Sequence, residues 1–148
     1  MNASLLLSPK GRIARGPFWL GFLIVMVLSA LTNAIPIVGQ IAGLVLLWPQ
    51  IVIHVKRLHD FGWSGWLLLL PFSVSALCTG MMMFNGGTAL MTSTPEQLPA
   101  LIMSPAMRTP LIYLEVAFAV EFVFLLWVGL TKGDSKANRF GPAPARAQ

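Results

Sequence analysis

Charge is scarce in this chain. Only 10% of its 148 residues are Asp, Glu, Lys or Arg, where a soluble domain carries about 25%. Hydrophobic residues make up 56%. Too little polar material remains to cover a globular surface, so water is the wrong solvent for most of the chain. Cysteine occurs once, at Cys78, inside an apolar run. A single cysteine excludes an internal disulfide and a cysteine-built metal site. A small buried residue is its bland use, and a redox role is the alternative. Acids number five against ten Lys and Arg, giving a net charge of +5. No nucleic-acid motif accompanies that excess, so no nucleic-acid partner is expected. In an apolar chain, basic residues set topology and touch anionic headgroups.

Motifs for chemistry are also missing. No Gly-rich phosphate loop and no HExxH occur. His54 and His59 are not at the i, i+4 spacing that aligns two zinc ligands on one helix face. Nothing positions an activated serine around His59, Asp60 and Ser64, and Ser64 is read as a helix-start residue. No catalytic residue, metal site or cofactor is expected. The N-terminal LLL run is short, and its basic residues follow rather than precede it. That order is not a signal peptide, so the first apolar segment is expected to stay uncleaved.

What is present is four long apolar runs, at 17–35, 37–55, 65–84 and 110–130. Each makes a helix of about 30 Å, matching the hydrocarbon core. They lack a period of two, and a spanning helix satisfies its own backbone. The expected fold is all-α: an integral membrane four-helix bundle over 17–130, with a segment 1–16 before it, an outer loop at 85–109 and a tail at 131–148. Pro17 and Thr109–Pro110 read as helix starts. The tail's last residues are expected to be disordered. Within the outer loop, TPEQLPALIM (94–103) reads as a short helix with Thr94 as cap and Gln97 completing a capping box.

The charges orient the bundle. Lys10, Arg12 and Arg15 precede the first run, Lys56 and Arg57 follow the second, and Lys132, Lys136, Arg139 and Arg146 follow the fourth. Only Arg108 falls among the residues between the third and fourth. Segment 33–36, between the first two runs, is uncharged. With four spans, nine of ten Lys and Arg lie on one side, which puts both termini in the cytoplasm. Trp19, Trp63, Trp66 and Trp127 lie near that boundary, where amphipathic rings settle at headgroup level.

Polar features inside the runs carry open alternatives. Pro49 cannot donate to the Val45 carbonyl and should loosen the second helix, with Gln50 beside it to make a local polar contact. Gly39 and Gly43 form a G-x-x-x-G pair that admits a close helix. Glu121 lies near mid-bilayer, where a charged acid costs about 2.5–3.5 kcal/mol or more. It is a candidate proton or cation relay, or a neutral acid hydrogen-bonded to Ser73, Ser75, Ser29 or Gln50. Glu115 lies about 120° around the helix from it, so the two form no carboxylate pair.

Three motifs remain: GRIARGPFW (11–19), KRLHDFGWSGW (56–66) and NRFGPAP (138–144). Together they resemble the bacterial family called domain of unknown function 805, a family of small inner-membrane proteins. The matching positions are Gly11, Arg12, Arg15, Phe18 and Trp19; then Arg57, Leu58, His59, Asp60, Gly62, Ser64, Gly65 and Trp66; then 138–142. Lys56 and Leu67 depart from residues common in the family. The resemblance implies a bacterial inner-membrane location and brings no assigned activity with it.

All three motifs fall on the expected cytoplasmic face. Arg12, Arg15, Arg57, His59, Asp60, Asn138 and Arg139 are therefore the candidate polar cluster, with Asp60 pairing Arg57 or an N-terminal arginine. The cluster is read as a latch or as a site for anionic lipid headgroups. The preferred function is a non-enzymatic membrane component, with another protein or its own copies as candidate partners. The alternatives are a small transporter or channel using Glu121, and a lipid-headgroup-binding enzyme. Reporter fusions test the topology. A fusion at the C-terminus should report cytoplasm and one near residue 95 the opposite side; a cytoplasmic signal from residue 95 rejects it.

Overall fold

The computed structural model describes residues 4–35 and 37–144. Pro36, Arg146 and the expected disorder of the last residues lie outside the described part. The fold is all-α, with four long apolar helices consistent with a membrane helix bundle. The helices able to span are Arg15–Asn33, Val38–Asp60, Gly65–Thr92 and Pro105–Leu130. The chain divides into two units, Met1–Leu68 with Leu126–Gln148, and Leu69–Leu125.

In the first unit a short α1 (Ser4–Leu7) precedes α2 (Arg15–Asn33) and α3 (Val38–Asp60). α2 starts at Arg15, so Pro17 sits within the first turn rather than opening it. Proline is harmless there because those N–H groups have no intrahelical partner. The last turn of α2 covers its own carbonyls: Thr32 Oγ1 donates to Leu28 and Asn33 Nδ2 donates to Ser29. Gly39 then lets α3 pass against the backbone at Asn33, where a Cβ would stand 2.8 Å from Cα. Among the described residues a Cβ at Gly43 would meet nothing within 4 Å, so there only the first glycine of the G-x-x-x-G pair admits a close approach.

α3 runs unbroken through Pro49 and continues to Asp60, five residues past the apolar run. The polar contact near the proline is made by His54, whose Nδ1 lies 2.8 Å from the Gln50 carbonyl. Only an N–H fits opposite a carbonyl, so Nδ1 carries the proton. The side-chain Oε1 of Gln50 is buried with no hydrogen-bond partner among the described residues. Gly62, at φ +82°, takes the left-handed turn that ends the helix.

The core of this unit lies at one end of its helices. Phe18, Val52, Ile53, Leu58 and Val128 are fully buried there. Toward the other end Leu31, Ile41, Leu44 and Val45 are exposed. Lipid tails are as apolar as these side chains, so the bilayer solvates them without cost. Helix contact depends instead on close packing. Gly129 provides some of it, because any Cβ there would collide with the Trp19 ring.

The second unit contains α4 (Leu69–Met82), a wide turn over Met83–Gly87, α5 (Thr88–Thr92), α6 (Leu98–Ile102) and most of α7 (Arg108–Leu130). Asn85 and Gly86 leave helical geometry, and Gly86 reaches φ +97°. The segment expected as an outer loop, 85–109, is thus largely short helical turns. In the expected 94–103 helix, Gln97 Oε1 does accept from the Thr94 N–H at 3.2 Å. The helix itself begins only at Leu98, after a turn. α7 begins at Arg108 rather than Pro110, because a 3-10 turn over Pro105–Met107 leads into it.

Substitution of the two glycines should give opposite signs. Gly129→Ala should destabilise by about 1–3 kcal/mol through overpacking against Trp19. Gly43→Ala should stabilise by up to about 1 kcal/mol through helix propensity. Thermal unfolding in detergent reads both, and equal effects would reject the Trp19 contact.

Candidate functional site

Two helix C-termini meet in the first unit, those of α3 and α7. Each helix end leaves backbone carbonyls without intrahelical donors. Arginine side chains supply much of what is missing.

Arg57 projects from the last turn of α3 and is fully buried. Its Nε donates to Val128 O at 3.1 Å and an Nη donates to Thr131 O, both at the end of α7. Another bond runs to Ile13 O at 3.3 Å. The same nitrogen, Nη1, also donates to the Asp60 carboxylate three residues along the same helix. Arg12 comes from the N-terminal segment and grips the other carboxylate oxygen, with Nε at 3.2 Å and Nη2 at 3.1 Å. It also donates to the carbonyls of Asp60 (3.0 Å), Asp134 (2.6 Å), Lys136 (2.8 Å) and Gly141 (3.2 Å). Every nitrogen of both guanidinium groups is engaged. A carboxylate oxygen bonded by a guanidinium is the stronger, charge-assisted kind of contact. Helix C-termini also favour cations through the macrodipole.

The tail after α7 closes over this pair. The Asp134 N–H donates to Asp60 O at 2.8 Å. Gly133 sits against the Asp60 carboxylate, and a Cβ there would overlap it. Asn138 Nδ2 donates to His59 O at 3.0 Å and to Asp134 Oδ2 at 2.8 Å. A tight turn pairs Asn138 with Gly141, whose φ of +129° favours glycine. That turn sets Phe140 flat on the His59 ring, with centroids 3.8 Å apart and planes 5° from parallel. His59 Nδ1 in turn lies 3.2 Å from Gly11 O. Arg139 donates to Gly62 O at 3.1 Å and lies over Phe140. Among the described residues Arg15 uses only Nε, donating to Thr131 O at 3.2 Å.

The structure thus places Arg12, Arg15, Arg57, His59, Asp60, Asn138 and Arg139 around the two helix ends. Thr131, Gly133 and Asp134 join them without having been singled out, and Phe140 joins them from within the matched 138–142 motif. Thr131 acts through its backbone carbonyl and Gly133 through having no side chain, which residue type does not reveal. Asp134 carried a weak signal as one of only five acids.

Glu121 lies elsewhere, in the second unit, and is half-buried. Of its candidate partners, Ser75 reaches it, donating from Oγ to Oε1 at 2.9 Å. Ser73 instead bonds its own helix at Leu70 O. Among the described residues no group of three His, Cys, Asp or Glu side chains is arranged to share a metal ion.

Four apolar helices long enough to span, with a charged cluster buried at the ends of two of them, define a multi-pass helical membrane protein. The chain belongs to the bacterial inner-membrane family described as protein of unknown function (DUF805), which matches residues 6–142. It is accordingly a multi-pass protein of the bacterial inner membrane, in contact with the lipid bilayer. Neither a curated protein nor a solved structure matches the chain.

Asp60→Asn removes the one anion between two buried cations. Losing one partner of a buried ion pair costs about 3–5 kcal/mol. Thermal unfolding in detergent should show that loss, and an unchanged midpoint would mean the pair is solvated. Arg57→Lys should lower the same unfolding midpoint, because a lysine cannot span the same fork of carbonyls.

Proposed function

We propose that this protein is a non-enzymatic component of the inner membrane, with both terminal segments on the cytoplasmic side. The cluster of Arg12, Arg57 and Asp60 is its clasp, tying the N-terminal segment and the tail to the ends of α3 and α7. One observation carries this reading: the donors of Arg12 and Arg57 are spent on Asp60 and on backbone carbonyls from distant parts of the chain. A catalytic arginine keeps donors for substrate; these two hold the protein's own backbone. His59 is likewise occupied, between Phe140 and Gly11.

The clasp leaves a basic surface toward the headgroup layer, which suits contact with anionic lipid. It also gives a defined cytoplasmic face on which a protein partner or a second copy can dock. The transport alternative rests on Glu121. Its hydrogen bond from Ser75 supports a structural acid held by a neighbouring helix rather than a relay, which needs several titratable groups in series.

Limited trypsin digestion of membrane vesicles tests the clasp. In inside-out vesicles the tail should be cut slowly in the wild type. Arg12→Gln should speed cleavage at Lys132, Lys136 and Arg139 about tenfold, the factor for losing roughly 1.5 kcal/mol of charge-assisted hydrogen bonding. Equal rates would reject the clasp. Cleavage only in right-side-out vesicles would reject the orientation.

A further inference from the structure

A cleft of about 480 Å³ opens beside the clasp, with Arg15, Gly16, Arg57, Asp60, Lys132 and Asp134 on its walls. Volumes of about 300–1,000 Å³ are typical of small-molecule sites. Its charge is unbalanced. Asp60 is shared by two guanidinium groups, Arg12 and Arg57, so the buried pair carries one excess positive charge. Arg15 and Lys132 add two more at the walls, and Asp134 returns one. The surroundings therefore hold a net excess of two positive charges.

The hydrogen-bond inventory sorts the cations. Arg12 and Arg57 are committed to the chain itself. Arg15 is exposed and commits only Nε, leaving its Nη fork unbonded among the described residues. Lys132 is exposed and has no hydrogen bond or ion pair among the described residues. The first turn of α2, which lines the same cleft, has no acid and no side-chain cap. Its partial positive charge adds to that of the two side chains.

We propose that this cleft binds a phosphate-ester anion, held by the Nη fork of Arg15 and the ammonium of Lys132. A phosphate fits the guanidinium fork in two parallel hydrogen bonds, and a singly or doubly charged anion neutralises the local excess. The site deepens the headgroup reading above and rests on it. The phosphate belongs either to an anionic lipid or to a soluble ester. Leu20, one turn beyond Pro17 on α2, is exposed.

The test uses the full chain in nanodiscs. Retained lipid is measured by native mass spectrometry with phosphatidylglycerol and phosphatidylcholine in equal amounts. Binding of sn-glycerol 1-phosphate and inorganic phosphate is measured separately in detergent. The wild type should prefer phosphatidylglycerol, and Arg15→Gln with Lys132→Gln should lower that preference about thirtyfold. Lys10→Gln with Lys136→Gln removes the same charge from the same segments and should leave the preference unchanged. Binding of the soluble esters without a lipid preference would support the site and assign it to a soluble ligand. No phosphate binding of either kind, or an equal loss in the two double variants, would overturn it. Tail protection from trypsin is read on the same samples. A variant with intact protection and no phosphate binding would sink this inference while leaving the clasp standing.

Discussion

Arg57 is the residue on which the rest of the polar end depends. It sits fully buried where two helices end, and its guanidinium reaches the C-terminus of α7, the N-terminal segment and Asp60 at once. Burying one cation requires an anion, and Asp60 supplies it three residues further along the same helix. The carboxylate's second oxygen then recruits Arg12, which brings in the N-terminal segment and gathers the tail carbonyls. The order of dependence runs from a helix end needing donors, to a buried arginine, to its acid, to the second arginine. A small residue, Gly133, is required at the end of that sequence because Asp60 fills the space a side chain would need.

This arrangement answers a problem particular to small membrane proteins. Apolar burial does little to hold helices together in lipid, since the tails compete on equal terms. Most large apolar side chains of α2 and α3 are accordingly left facing outward. Close packing is concentrated at Phe18, Ile53, Leu58 and Val128, beside the clasp. The polar network is therefore more than decoration on a greasy core. It is adjacent to the tightest packing in its unit, and charge-assisted bonds near the low-dielectric boundary are stronger than at an open surface.

Much of this was legible in the sequence, for physical reasons that differ by feature. The apolar runs marked the helices because a bilayer demands about twenty apolar residues in succession. Their ends were less legible. α3 extends to Asp60 because its last turn is covered by the tails, and hydropathy alone stops at the first charge, Lys56. α7 starts early because Pro110 is tolerated anywhere in a first turn. The grouping of Arg12, Arg57 and Asp60 was legible through the shared side of three motifs. What it bonds was not: Val128, Thr131, Lys136 and Gly141 contribute carbonyl oxygens, and every residue type has one. The stacking of Phe140 on His59 was hidden similarly, since it depends on a turn that places the two rings in register.

The same inventory separates two kinds of basic residue that composition treats alike. A guanidinium fork suits fixed carbonyls at several angles, so arginine rather than lysine is needed at 12 and 57. Lys10, Lys132 and Lys136 satisfy the orientation rule equally well, yet none of their side chains enters the clasp. Orientation depends on the number of cations on a side, whereas the clasp depends on where each donor points. Arg15 lies between these two uses, with Nε committed to Thr131 O and the rest of its fork uncommitted. A residue attached at one nitrogen and open at the others is positioned by the fold while remaining available to a ligand. That combination distinguishes it from both the buried arginines and the exposed lysines, and it places the chain's chemical opportunity at the rim of the clasp instead of its centre.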